Sequence, residues 1–328
     1  MTIHKTLLAT AVAAAIAFTS LPAMQALAAS WDMPVPYGDN NFHTLNHKEF
    51  AKDVEKATDG KLKLKIHPSG SLYKHPEIKN AVRTGQVPIG EFLLSRLSNE
   101  NALFQADSVP FLASSYDDAA KLWELSRPAI EKLLDEQGLM ILYAVPWPPQ
   151  GLYAKKEVNQ VDDLKGVKFR AYNAATEQLA RLADAVPTQV EVPDIPQAFS
   201  TGRVAAMVTS PSTGANSKAW DFLSHYHDTQ AWLPKNVVVM NKKAFRRLDK
   251  DVQDAVLAAA KTAQERGWEA SKKETAAKTK ILKDNGVQII APSPELTKGL
   301  QDIGVKMTAE WIEKAGPDGK AIADAMKK

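Results

Sequence analysis

LKGVKFRAYN, residues 164–173, hands a strand over to a helix within ten residues. Lys165 and Gly166 are turn residues, and Val167 and Phe169 alternate with Lys168 as in a short strand. Asn173 can cap the helix that follows. Between strand and cap stands Arg170. Ligands in open α/β sheets bind beyond the carboxyl ends of the strands, and Arg170 lies on that edge. Its planar fork suits a carboxylate, a charge-assisted pairing of about 1.5–3 kcal/mol. A surface arginine paired with a nearby acid is the other reading.

The same hand-over recurs along the chain. An amphipathic run, a glycine and an apolar run occur at Gly60 before KLKLKIH, Gly85 before QVPIGEFLL and Gly138 before LMILYAV. They return at Gly202 before RVAAMVT and at Gly286 before VQII. Each glycine stands where a helix end favours a left-handed residue. Helix-to-strand alternation of this kind predicts an α/β protein with largely parallel sheets. PWPPQG (146–151) follows a predicted strand about midway and is too proline-rich to continue a helix, which makes it a natural crossing between domains. WLPKN (232–236), before the apolar VVVM, is a plausible second crossing. From Asp249 to about Asn285 there is no proline, and Val252, Val256, Ala260 and Ala263 recur at helical spacing. A helix of that length runs roughly 50 Å and would tie two domains together.

Composition narrows the function classes. The chain has 328 residues, 45% hydrophobic and 24% charged. Its mean hydropathy of −0.28 argues against a polytopic membrane protein. His4 and Lys5, an apolar run from Thr6 to about Met24, and Ala26-Leu27-Ala28 predict a signal peptide over 1–28, cleaved near Ala28. No later stretch approaches the roughly 20 apolar residues needed to span a bilayer, so the mature protein is expected to be exported and not membrane-anchored. The absence of cysteine excludes disulfides, thiolate metal sites, a cysteine nucleophile and a lipidated cysteine. The core must then suffice alone, which about 300 residues can supply. An unanchored exported protein is most simply confined by an outer membrane, so a Gram-negative periplasm is the expected location. A net charge of +3 without a dense basic patch argues against nucleic acid as a partner.

His43 and His47, four apart on a predicted helix, and His225 and His227, two apart, could each offer two metal ligands. No HExxH and no cysteine completes a set, so solvated faces are expected, with no metal and no cofactor. G-x-S-x-G, P-loop and G-x-G-x-x-G motifs are missing, and nothing singles out a pair of acids for acid–base work, so no enzyme is expected. Trp147, Tyr153 and Trp232 fall at or beside the crossings, where they either pack the domain interface or touch a ligand.

Taken together, the chain resembles the periplasmic solute-binding subunits of TRAP transporters, the DctP-like family. The resemblance rests on FAKDVEKATDGKLKLKIHPSGSL (50–72), EIKNAVRTGQVPIG (77–90) and DSVPFL (107–112). Its most specific part is VDDLKGVKFRAYNAATEQLARLADAVPTQV (161–190), followed by DIPQAFSTGRVAAM (194–207). It implies a two-lobed, type II-like periplasmic binding protein with hinge strands and a long helix spanning both lobes. The lobes would comprise 29–147 plus 236–265 and 148–235 plus 266–328. It also implies closure around a small-molecule carboxylate, delivery to TRAP membrane permease subunits, and a carboxylate clamp at Arg170.

The chain departs from the family pattern at several positions. Gln150 stands where sialic-acid-type members carry another arginine, about twenty residues before Arg170. Thr209 and Ser210 occupy the region of a usual asparagine, and Leu93 and Leu94 the place of an acidic residue in some members. One pocket cation rather than two is expected, hence a monocarboxylate with an apolar or aromatic body. Arg170 would hold it at one end, with Trp147, Tyr153 or Trp232 along its side. Tyr37, Leu93, Gln150, Asn173, Thr209 and Ser210 complete the expected site. The alternatives are a small 2-oxo or 2-hydroxy acid, a secreted hydrolase with Asp, Glu or His in the cleft, or a receptor coupled to an ATP-driven permease.

Overall fold

The computed structural model describes residues 29–327, so the expected signal peptide and its cleavage site lie outside the described residues. β1 (Ala29–Pro34) and β2 (Leu62–His67) pair in parallel and are joined by α1 (Phe42–Ala57). α2 (His75–Arg83), β3 (Ile89–Leu93), α3 (Tyr116–Asp135) and β4 (Leu139–Pro146) follow. The middle of the chain runs β5 (Gly151–Ala154), β6 (Lys168–Ala171), α4 (Ala174–Leu182) and β7 (Val186–Gln189). It continues with α5 (Ile195–Ser200), β8 (Ala206–Thr209), α6 (Pro211–Asn216) and β9 (His225–His227). β10 (Lys235–Asn241), α7 (Lys242–Arg246), α8 (Lys250–Asp284), β11 (Gln288–Ile290) and α9 (Pro294–Met326) complete it, with α9 broken at Gly316.

The strands gather into two main sheets. One has the order β3-β10-β4, the other β11-β9-β5-β8-β6-β7. β10 is central and buried at every position, as its run of β-branched residues requires. The expectation of largely parallel sheets is corrected here. β10 runs antiparallel to β3 and β4, and β5 runs antiparallel to β8 and β9. These two strands enter their sheets from the other sheet, so the crossing sets their direction and no βαβ unit does. Pairs joined through helices stay parallel: β1–β2, β6–β7, β6–β8 and β9–β11.

Both expected crossings lie between the sheets. Residues 147–150 lead from β4 to β5, and residues 228–234 lead from β9 to β10. They bond to one another: Trp147 N to Pro234 O at 2.8 Å, Gln150 N to Trp232 O at 3.0 Å, and Ala231 N to Gln150 O at 3.0 Å.

The expected long helix forms as α8, 35 residues or roughly 50 Å. Its buried face carries Val252, Val256, Ala259, Ala260, Ala263, Gly267 and Ser271. Asn46 of α1 donates to Ala263 O at 2.9 Å, and Trp268 Nε1 donates to Ala144 O of β4 at 3.0 Å. Further on, Glu274 accepts from Ser212 Oγ of α6 at 2.7 Å. One helix thus braces elements of both sheets. The two long C-terminal helices pack on elements to either side of the cleft. Trp268 bonds to β4, and Ile322 and Ala323 share a core with Leu103, Val109 and Leu122. Among the described residues, no helix is long and apolar enough to cross a membrane.

Candidate functional site

A small cavity lies between the two sheets, beside the crossings, with about 30 Å³ open to the centre of a water molecule. Its wall draws on the strand–helix hand-over read first in the sequence. Gly166 takes φ 70°, the left-handed turn conformation that glycine tolerates. β6 buries Phe169, and the Asn173 side chain caps α4 by accepting from Thr176 N at 2.8 Å. Arg170 at the end of β6 is 1% exposed. Its Nε donates to Val190 O at 3.0 Å, and its guanidinium carbon lies 5.2 Å from the centre of the Tyr172 ring. Nη1 has no hydrogen-bond partner among the described residues. Burial pushes the guanidinium down to about 10, against the opposing pull of Tyr172 and Glu191. A buried cation without an anion costs several kcal/mol, so an anion brought against it is strongly favoured.

A second polar group joins the two sides of the cavity. Arg96, in the short turn after β3, bonds from Nη1 to Glu191 Oε1 at 2.9 Å and to Tyr172 O at 3.1 Å. His75 Nδ1 lies 3.5 Å from Glu191 Oε2, while its Nε2 accepts from Leu93 N at 3.0 Å. An imidazole that accepts at Nε2 and stays neutral carries its proton on Nδ1, facing Glu191. Burial lowers His75, in keeping with the neutral form. Burial alone would raise the Glu191 carboxyl; the His75 hydrogen bond and the charges of Arg96 and Arg170 outweigh it and hold the group at about 2.

The aromatic wall is set from behind. Tyr37 and Trp147 meet edge to face at 4.9 Å. The Tyr37 hydroxyl and Trp147 Nε1 both donate to Asn236 Oδ1, at 3.2 and 2.9 Å. Asn236 Nδ2 in turn donates to Glu91 Oε1 at 2.7 Å. His43 and His47, expected on a solvated face, are buried against this same Glu91, at 3.4 and 2.9 Å. The correction has a simple cause: their face of α1 turns inward, where Glu91 and the Tyr143 hydroxyl, 2.8 Å from His47 Nδ1, receive it. His227 is likewise buried, its Nε2 accepting from Val158 N at 3.1 Å, while His225 stays partly exposed.

Of the expected residues, Tyr37, Leu93, Trp147, Gln150, Arg170, Thr209 and Ser210 lie together on the cavity wall. Tyr153, Asn173 and Trp232 do not. Tyr153 points to Ser210 O and packs on Tyr226; Asn173 is occupied as a cap and bonds to Ser95 Oγ. Trp232 stands behind the wall and donates to the Tyr172 hydroxyl at 3.1 Å, which itself donates to Gln150 Oε1 at 3.2 Å. His75, Arg96, Tyr172, Glu191, Val192, Thr213 and Pro234 line the cavity without having been expected there. Tyr172 was within reach, two residues from Arg170 in the opening decapeptide. Arg96 and Glu191 come from segments with no motif of their own. Two arginines therefore border the cavity where one was expected, but Arg96 is paired with Glu191 and only Arg170 is uncompensated.

A two-lobed α/β frame around a cleft that buries the Arg170 guanidinium has the form of a solute-binding receptor. Residues 36–314 match the DctP family, described as bacterial extracellular solute-binding protein, family 7, and the chain belongs to that family. The family comprises TRAP-type solute-binding receptors for organic acids, and it is extracytoplasmic.

Three solved structures are closely similar. Bordetella pertussis DctP7, an extracytoplasmic solute receptor binding pyroglutamic acid, is 47% identical over 92% of this chain and 100% of that one, with a TM-score of 0.90. DctP6 of the same organism, also binding pyroglutamic acid, is 43% identical over 91% and 99%, with a TM-score of 0.90. A marine metagenome TRAP solute-binding protein specific for pyroglutamate is 42% identical over 92% and 99%, with a TM-score of 0.88.

Proposed function

We propose that this receptor captures pyroglutamate, a compact cyclic monocarboxylate, in the Gram-negative periplasm and presents it unchanged to the membrane subunits of a TRAP transporter. One observation carries the reading: a single uncompensated cation, Arg170, in a small cavity between the two sheets. The guest carboxylate meets the free edge of the guanidinium. Tyr37, Leu93, Trp147 and Tyr172 flank its ring, and Thr209, Ser210 and Gln150 supply neutral polar surface. The small cavity favours a compact ring over the larger aromatic body suggested by the sequence, and the three similar receptors bind this acid.

The lobes separate at the two crossings, near residues 147 and 235, with α8 and α9 shared between them. A guest that touches both lobes shifts the population toward the closed form, which the membrane partner recognises. No group on the wall is asked to transform the guest.

Arg170→Met keeps the stem volume and removes the charge. Its affinity for pyroglutamate in titration calorimetry is expected to fall at least tenfold, and undiminished affinity would reject the clamp. Mass spectrometry of the acid carried through purification tests the rest: recovery of intact pyroglutamate agrees with a receptor, whereas turnover to another compound points to the hydrolase.

A further inference from the structure

The pyroglutamate reading leaves open how the cavity tells one small acid from another. Glu191 is the one acidic residue on the cavity wall among the described residues. It follows Val190, whose carbonyl holds Arg170 Nε at 3.0 Å, so the backbone fixes the spacing between carboxylate and clamp. Its oxygens meet Arg96 at 2.9 Å and His75 at 3.5 Å. A carboxylate offers about four lone-pair sites, so acceptor capacity remains after those two contacts. Arg96 and Glu191 cancel in charge, and His75 turns a neutral ring toward them. The wall is left with the single positive charge of Arg170, which one guest carboxylate neutralises. A second carboxylate would find Glu191 on the same wall.

We infer that Glu191 is a specificity-determining residue: its carboxylate accepts a hydrogen bond from an N–H donor of the bound acid and repels a second carboxylate. The inference rests on the pyroglutamate reading and adds the group that selects a lactam. A site built to bond an N–H discriminates strongly against an isostere without one, because its acceptor is then left unpaired.

The test compares pyroglutamate with its lactone isostere, 5-oxotetrahydrofuran-2-carboxylate, in which a ring oxygen replaces the N–H. Calorimetry on wild type, Glu191→Gln and Glu191→Asp gives the lactam-to-lactone affinity ratio for each. The ratio cancels any effect of Glu191 on closure, since both guests need the same closed form. Wild type is expected to prefer the lactam by roughly tenfold or more. Glu191→Gln, whose amide can donate to the lactone oxygen, should lose most of that preference, and Glu191→Asp should retain part of it. Thermal melts confirm that both variants fold, and either variant alone reads the ratio if the other does not. Equal losses for both guests with the ratio unchanged would overturn the inference and leave Glu191 as a tie between lobes. Wild type that binds both compounds equally, with Arg170→Met losing both, overturns the role of Glu191 alone. Wild type that binds neither compound overturns the pyroglutamate reading, and the inference falls with it.

Discussion

An arginine buried without a counter-ion destabilises the protein that contains it, so Arg170 is retained against a folding cost. Replacing a buried charge by an apolar side chain of similar volume is often neutral or stabilising. Arg170→Met should therefore melt no lower than wild type in the absence of ligand even as its affinity falls, which separates function from stability. His43 tests the same physics in the opposite direction. Burial lowers it to about 3, against the raising effect of Glu91, while an unfolded histidine titrates near 6.5. Between those values the unfolded chain binds more protons, so stability declines as pH falls from about 6.5 toward 3, by up to about 1.4 kcal/mol per pH unit from this group. Glu91, lowered by its histidine partners against its own burial, adds acid sensitivity of the same sign. His43→Asn should thus show a smaller drop in melting temperature between pH 7 and pH 5 than wild type; an equal drop would place the sensitivity elsewhere. At this scale the sequence was readable where a residue sits on a local pattern. Arg170 ends a strand and precedes a cap, so its edge position follows from ten residues. Arg96 and Glu191 carry no local pattern, because what defines them is each other, across 95 residues of chain. His43 and His47 misled because four-residue spacing says which helix face they share but not which way that face turns.

Elements were more legible than sites. The five glycines that punctuate the pattern all take positive φ, and β2, β3, β4, β8 and β11 follow them. α8 occupies 250–284 where 249–285 was expected, because its apolar periodicity is unbroken by proline. Strand direction was not legible, since it depends on which sheet the chain enters next. α9 was missed: Gly299, Gly304, Gly316 and Gly319 weaken its helical signal, and two of them serve tertiary contact. A side chain at Gly299 would meet Val161, and one at Gly304 would meet Pro110 and Phe111. The same logic gives a prediction for α8, where a methyl at Gly267 would run into Val145 and Asn46. Gly267→Ala improves helix propensity yet should destabilise by about 1–3 kcal/mol through overpacking, as urea unfolding would measure. A stabilised variant would mean that β4 and α8 can part at no cost.

Across the whole molecule, the two sides of the cleft are joined by bonds that need no guest. Arg96 reaches Glu191 and Tyr172 O, and Asn173 Nδ2 reaches Ser95 Oγ at 2.8 Å. Such ties raise the fraction of receptor already closed, and apparent affinity scales with that fraction. Arg96→Ala should accordingly expand the ligand-free protein in small-angle scattering and weaken pyroglutamate binding, while saturating ligand restores the compact form. An unchanged radius of gyration without ligand would show that the tie does not hold the cleft.

The prolines at the crossings have their own consequence. Pro146, Pro148, Pro149 and Pro234 each lock one torsion in the paired segments that connect the lobes. Those connectors behave as stiff pins, and the swing they allow is narrow and repeatable. Little disorder remains to be frozen out on capture, so more of the contact energy survives as grip, an advantage to a scavenger working in dilute surroundings.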